Sequence, residues 1–180
     1  MQIMIDQKTM SLWEVQGRFS PSARKTWERE DIETVVERVN LGSEALDNYE
    51  GPGWSERVYP SDLEMSSGQF CIIGQAYSGY SDGIRVPFAD FEEMEEFEGG
   101  EHTEAINRLA IRHGFLTQIH GDEVSWQLLD RVWVYMLAER AKNPGESIEL
   151  RVPPRLTGNV MQMILAEAEL LAAVEADDLF

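Results

Sequence analysis

A single cysteine, Cys71, stands in a chain of 180 residues. One thiol cannot close an internal disulfide, so a secreted fold stapled by such bonds is excluded. Cations are scarce as well: Lys and Arg number 15 against 33 Asp and Glu, a formal net charge of -18 at pH 7. A protein that tracks a nucleic-acid backbone needs a clustered basic face to neutralise phosphates, and docking on anionic lipid makes the same demand. This balance argues against both, and cationic surfaces are the expected partners. No run approaches the ~20 apolar residues that span a bilayer. The first residues mix Asp6, Lys8, Glu14 and Arg18 into apolar positions, which lacks the uninterrupted core of a signal peptide. A cytoplasmic location is therefore expected.

What is present suits one domain, or one domain with an appended segment. Hydrophobic residues make up 43% of the chain, which excludes a wholly disordered protein, since disorder needs low hydrophobicity together with high charge. In residues 1–30, an N-terminal arm, Gln2 to Ile5 and Leu12 to Gln16 read as strands, ended by the turn chemistry of Ser20-Pro21-Ser22. Asp31 opens a helix with Ile32, Val35, Val36 and Val39 at helical spacing, and Pro52 with its flanking glycines closes it. Residues 54–62 read as a short helical piece and a bend, and Phe70 to Ala76 as the first turns of a buried helix. Residues 87–101 carry a dense acidic run whose Phe88, Phe91 and Met94 lie three apart, the pattern of a helix with one apolar edge. Ile106, Leu109 and Ala110 mark a further helix ended by Gly114.

The broadest apolar arc lies in residues 123–142, where Val124, Leu128, Leu129, Val132, Trp133, Tyr135 and Met136 predict a core helix. Ile148 to Val152 alternates as a strand that Pro153-Pro154 ends. Residues 158–180 carry a helical stripe of Met161, Ile164, Leu165, Ala168, Leu171 and Ala172, and their acidic end opposes the helix dipole. The expected fold is mainly α: a compact helical domain over residues 31–142, a small β element from the N-terminal arm and residues 148–152, and a C-terminal strand and acidic helix over residues 143–180.

A series of short motifs runs through residues 35–140: Leu46-Asp47, Pro52-Gly53-Trp54, Asp62-Leu63, Cys71-Ile72-Ile73-Gly74-Gln75, Gly79-Tyr80, Gly114-Phe115, Leu129, Trp133 and Arg140. In order and approximate spacing this resembles a family of small proteins, of unassigned activity, common in actinobacterial phages and prophages. The acidic segment 85–101 departs from that pattern, and both chain ends lie outside it. The resemblance implies a phage-encoded protein acting in a bacterial host's cytoplasm, with Trp54, Cys71, Gly74, Gln75, Tyr80, Gly114, Phe115 and Trp133 as structural positions. It carries no reaction with it.

Cys71 sits near an expected helix N-terminus, where the dipole lowers a thiol pKa and favours a nucleophile. Its base would have to be His102, His113 or His120, none in a known signature, and a cysteine between Phe70 and Ile72 reads more simply as a small buried hydrophobe. No metal site is expected: His113 and His120 are seven apart, Asp122 and Glu123 follow, and the second thiol of a structural zinc site is missing. The acidic residues lack the ligand and glycine alternation of a calcium loop. Gly74, Gly79 and Gly83 do not precede the Lys-Ser or Lys-Thr of a phosphate cradle, so no cofactor is expected. Trp54, Tyr77, Tyr80, Trp126 and Trp133 lack the basic neighbours of a base-stacking platform and read as core or pocket-lining residues.

The acidic surface remains. The leading expectation is a non-enzymatic phage accessory protein that binds a host or phage protein with a basic surface. Its contact residues would be Glu92, Glu93, Glu95, Glu96 and Glu98, with Asp177, Asp178, Leu179 and Phe180 at the tail. Asp178-Leu179-Phe180 resembles the end of the peptides that dock in bacterial sliding-clamp pockets. It also resembles the Phe-terminated tips of bacterial single-strand binding proteins, without their penultimate proline. An acidic DNA mimic that blocks a restriction or defence enzyme is the alternative. A small Cys71-dependent enzyme and a virion component follow.

Overall fold

The computed structural model describes residues 1–19, 27–88, 102–117 and 123–153. It is mainly α with one small two-stranded sheet, as the periodicity predicts. Strand β1 (Gln2–Met4) is followed by helices α1 (Gln7–Phe19) and α2 (Arg29–Glu50) and by 3-10 turns at Pro52–Arg57 and Pro60–Asp62. Two short helices, α3 (Ile72–Tyr77) and α4 (Tyr80–Gly83), lead to a 3-10 turn at Val86–Phe88. Then come α5 (His102–Arg112), α6 (Glu123–Lys142) and strand β2 (Glu149–Arg151).

Three local expectations are corrected. Residues 12–16 form part of helix α1 rather than a strand. The Asp6 carboxylate accepts from Thr9 N–H at 2.8 Å and from Thr9 Oγ1 at 2.5 Å, which starts the helix as a side-chain cap does. Met10 and Trp13, three apart, then fall on one buried side. Helix α2 begins at Arg29, earlier than Asp31. Asp31 lies inside the first turn and reaches back, its Oδ2 accepting from Glu28 N–H at 2.9 Å. Helix α3 starts at Ile72, so Phe70 lies before it and is 47% exposed.

Strands β1 and β2 run parallel, with Ile3 opposite Leu150. The outer edge of β2 is closed by a side chain: Asn40 of α2 donates Nδ2–H to Leu150 O and accepts from Leu150 N–H through Oδ1, both at 2.8 Å. One amide thus stands in for a third strand and satisfies backbone groups that an open edge leaves unpaired.

Helix α2 is the hub, packing against α5, α6 and β2. Its inward face is Ile32, Val36, Val39, Gly42, Ser43, Ala45 and Leu46. Gly42 makes the crossing possible: a Cβ there would lie 2.1 Å from the His113 carbonyl oxygen and 3.1 Å from both the Phe115 and Trp133 rings. Beneath it a file of rings fills the core. Trp54 meets Trp133 edge-on at 6.1 Å, Trp133 stacks on Phe115 at 5.7 Å, and Phe88 packs against both Phe115 and His113. Each such pair adds about 0.5–1.5 kcal/mol beyond the area it buries. None of the described helices is long and apolar enough to cross a membrane.

Candidate interaction surface

Most of the motif residues are buried or half-buried, Gly53 and Asp62 being exposed. Asp47 and Arg140 form an ion pair at 2.7 Å whose side chains are only 8% and 2% exposed. The Arg140 Nη2 also donates to Ser43 Oγ at 2.5 Å, and its guanidinium lies 4.7 Å from the Trp54 ring centre. Trp54 Nε1–H completes the group by donating to Asp47 Oδ1 at 2.8 Å. Asp47 thus ties the end of α2 to the Pro52–Arg57 turn and to the last turns of α6. On the far side of the same core, Trp133 Nε1–H donates to Gly114 O at 2.6 Å. Gly114 takes φ +64 while pressed against the backbone of Arg38 and Val39, a conformation that suits a residue without Cβ.

Cys71 belongs to this scaffold. It is the N-cap of the six-residue α3, and its Sγ accepts from Gly74 N–H at 3.2 Å. The residue is 1% exposed. Burial pushes its thiol pKa up, over the opposing pull of the Gly74 and Ile73 N–H groups. The helix end does act on the sulfur as its position suggested, but desolvation outweighs it, and a nucleophile needs the reverse. Among the described residues no imidazole hydrogen-bonds to Sγ. His113 is buried and engaged elsewhere: its Nδ1–H donates to Leu109 O at 2.8 Å and its ring packs on Phe88. Beside Cys71, Tyr80 holds its hydroxyl without a hydrogen-bond partner, and burial pushes its pKa up to about 12. Gln75 spans two backbone segments, accepting from Tyr59 N–H at 2.7 Å and donating to Phe70 O at 2.8 Å.

The outward face of α2 is where charge gathers. Glu30, Glu33, Glu37 and Glu44 are all exposed. At 3.6 residues per turn they fall within about 60° of one another, and at 1.5 Å per residue the ridge runs about 21 Å. Arg29 pairs with Glu33 at 2.7 Å. A hollow of about 510 Å³ flanks the ridge, lined by Asn40, Glu44, Asp47, Asn48, Ser147 and Glu149 among others. The opposite flank is a cleft of about 560 Å³ between α2 and α5, lined by Thr34, Glu37, Arg38, Leu41, Arg108, Ile111 and Arg112. The helix therefore separates a hollow lined by Glu44, Asp47 and Glu149 from a cleft lined by Arg38, Arg108 and Arg112.

Of the predicted contact residues, Glu92, Glu93, Glu95, Glu96, Glu98, Asp177, Asp178, Leu179 and Phe180 lie outside the described residues. The structural group is brought together in part: Trp54 and Trp133 touch, Gly114 and Phe115 hold Trp133, and Cys71 caps the turn that contains Gly74. The α2 ridge was not anticipated, although the spacing 33, 37, 44 lies on the helix expected from Asp31 onward; Glu30 joins it because the helix begins at Arg29. No family model, curated protein or solved structure matches the chain.

Proposed function

We propose that this is a non-enzymatic phage accessory protein that binds a basic host protein through the outward face of α2. The observation that carries the reading is the gathering of Glu30, Glu33, Glu37 and Glu44 on one side of a helix whose other side is locked into the core. A rigid array of like charges steers an oppositely charged partner and fixes its register. The phage setting follows from the motif resemblance over residues 35–140, and the host cytoplasm from that setting.

The DNA-mimic alternative gains less from this ridge. Four carboxylates over about 21 Å give roughly one charge per 5 Å, whereas duplex DNA carries about one per 1.7 Å. A protein surface with scattered Lys and Arg matches that spacing better than a phosphate-binding groove does.

The test is affinity capture from a nuclease-treated host lysate, comparing the wild type with a Glu30→Gln/Glu33→Gln/Glu37→Gln/Glu44→Gln variant. A defined partner held by the wild type, released by salt and lost by the variant is expected. Equal capture by both proteins overturns the assignment to α2, and displacement by duplex DNA favours the mimic.

A further inference from the structure

A second outward feature lies in the segment from Val58 to Gln75. Tyr59 is 64% exposed and Phe70 is 47% exposed. Single exposed rings are ordinary on a protein surface. These two are different because their backbones are joined through the side chain of Gln75, which accepts from Tyr59 N–H and donates to Phe70 O. Phe70 O also accepts from Glu64 N–H, and Ser67 Oγ accepts from Phe70 N–H. Met65 N–H is anchored to Asp130 of α6 at 2.7 Å, while Cys71 N–H donates to Ser67 O. The loop that presents the rings is thus fixed by six hydrogen bonds. Ordering a mobile loop costs binding free energy, so aromatic groups held in place beforehand make the better anchors.

Arg57, two residues before Tyr59, is paired with Glu50 at 2.5 Å, and the next charged residues in the chain are Asp62 and Glu64. No Lys or Arg occurs between Arg57 and Arg85. Asp62 follows Tyr59 by three residues and Glu64 N–H is bonded to Phe70 O; both acids are exposed, and neither forms an ion pair among the described residues. Ser61 and Ser66 each donate to one carboxylate oxygen, of Asp62 and Glu64 respectively, and the other oxygen has no hydrogen bond among the described residues.

We infer that the Tyr59–Phe70 face is a docking site for an arginine-bearing segment of a partner protein. A guanidinium stacks on an aromatic face and donates along its edge to a carboxylate in the same pose, which the compact ammonium of lysine does less well. The inference rests on the reading of the protein as a binder of basic proteins, but it places a contact on a separate surface.

The test is an amide-shift titration of the isotopically labelled full chain with the peptide acetyl-Leu-Arg-Leu-Arg-amide. Acetyl-Leu-Glu-Leu-Glu-amide serves as control. Shifts centred on Tyr59, Asp62, Glu64 and Phe70 are expected with the first peptide and not the second. A Tyr59→Ala/Phe70→Ala variant, whose retained fold the same spectra verify, should bind at least fivefold more weakly. Asp62→Asn/Glu64→Gln, which leaves both rings in place, should also weaken binding. Shifts centred on the α2 ridge, shifts spread evenly over acidic positions, or an unchanged titration in the ring variant would overturn the inference. The first of these leaves the proposed function standing. Conversely, platform binding together with lysate capture that ignores the α2 variant sinks the ridge and spares the platform.

Discussion

The buried Asp47–Arg140 pair permits an asymmetric prediction. Asp47→Ala removes the counter-charge from a guanidinium that is 2% exposed. Arg140 then keeps only Ser43 Oγ as a hydrogen-bond acceptor, and its Nε already has no partner. Trp54 Nε1–H, on a wholly buried indole, loses its acceptor as well. Stranding one member of a buried ion pair costs about 3–5 kcal/mol. The orphaned indole pushes the sum toward the upper end, since a buried unsatisfied donor costs about 1–3 kcal/mol by itself. Against a total stability of about 5–15 kcal/mol, that is a third or more of the whole.

Arg140→Met is the milder change. Asp47 borders the 510 Å³ hollow, so water reaches its freed oxygen, and Trp54 remains bonded to the other. A cost of about 1–3 kcal/mol is expected. The double variant Asp47→Leu/Arg140→Met should recover part of the loss of Asp47→Ala, because no charge is left uncompensated. Urea unfolding followed by tryptophan fluorescence and by far-ultraviolet circular dichroism measures all three, and the two probes should agree with one m-value. If Arg140→Met proves as costly as Asp47→Ala, or both cost under about 1 kcal/mol, the assignment of the penalty to a stranded guanidinium is refuted.

Three further outcomes are expected. Tyr80→Phe deletes a buried hydroxyl that has no partner and should raise stability by about 1 kcal/mol in the same urea assay; a loss would reveal an acceptor. Asp130 has its pKa raised by burial, which outweighs the hydrogen bond from Met65 N–H, with repulsion from Glu64 adding to the rise. Its charged form therefore weakens the fold above the raised pKa, and the penalty disappears as pH falls below 3.8. Asp130→Asn retains an acceptor for Met65, so it should be the more stable protein at pH 7 and equal to the wild type near pH 3; the opposite order would contradict the burial argument. Cys71 should resist a disulfide-exchange reagent in the native protein at pH 8 and react fully in urea, whereas rapid native modification would restore the thiol as a chemical candidate.

How much of this could be read in the sequence depended on the range of the interaction. Helices α2 and α6 follow from apolar residues three and four apart, a pattern that neighbouring turns impose on any buried helix. The break after Glu50 follows from Gly51-Pro52-Gly53, and β2 from alternation before Pro153-Pro154. Residues 12–16 misled because Trp13, Glu14, Val15 and Gln16 alternate apolar and polar over a stretch too short to separate the two periods. The decisive Asp6 carboxylate cap could be recognised only by extending the helix backward. Asn40 closing the edge of β2 was invisible, since its partner Leu150 lies 110 residues away. Cys71 was placed correctly at a helix start, yet the sign of its pKa shift depended on burial, which a local reading does not supply. Phe70 looked like core beside Ile72 and Ile73, and became a surface group because the helix begins two residues later.

The division between inward motifs and outward charge has a consequence for how such a protein changes. Asp47, Trp54, Cys71, Gly74, Gly114, Phe115, Trp133 and Arg140 hold one another, and most substitutions among them disturb packing or strand a polar group. Glu30, Glu33, Glu37 and Glu44 bind nothing in the core, and exposed substitutions of this kind usually stay within about 0.5 kcal/mol of neutral. Replacing all four by Gln also relieves repulsion along one helix face, so the fold should be unharmed even where partner capture is lost. A chain that retained the inward pattern and exchanged the α2 face would keep the architecture and, under the proposed function, change its target. The inward residues therefore define a scaffold, and under the proposed function the partner is to be sought among the outward ones.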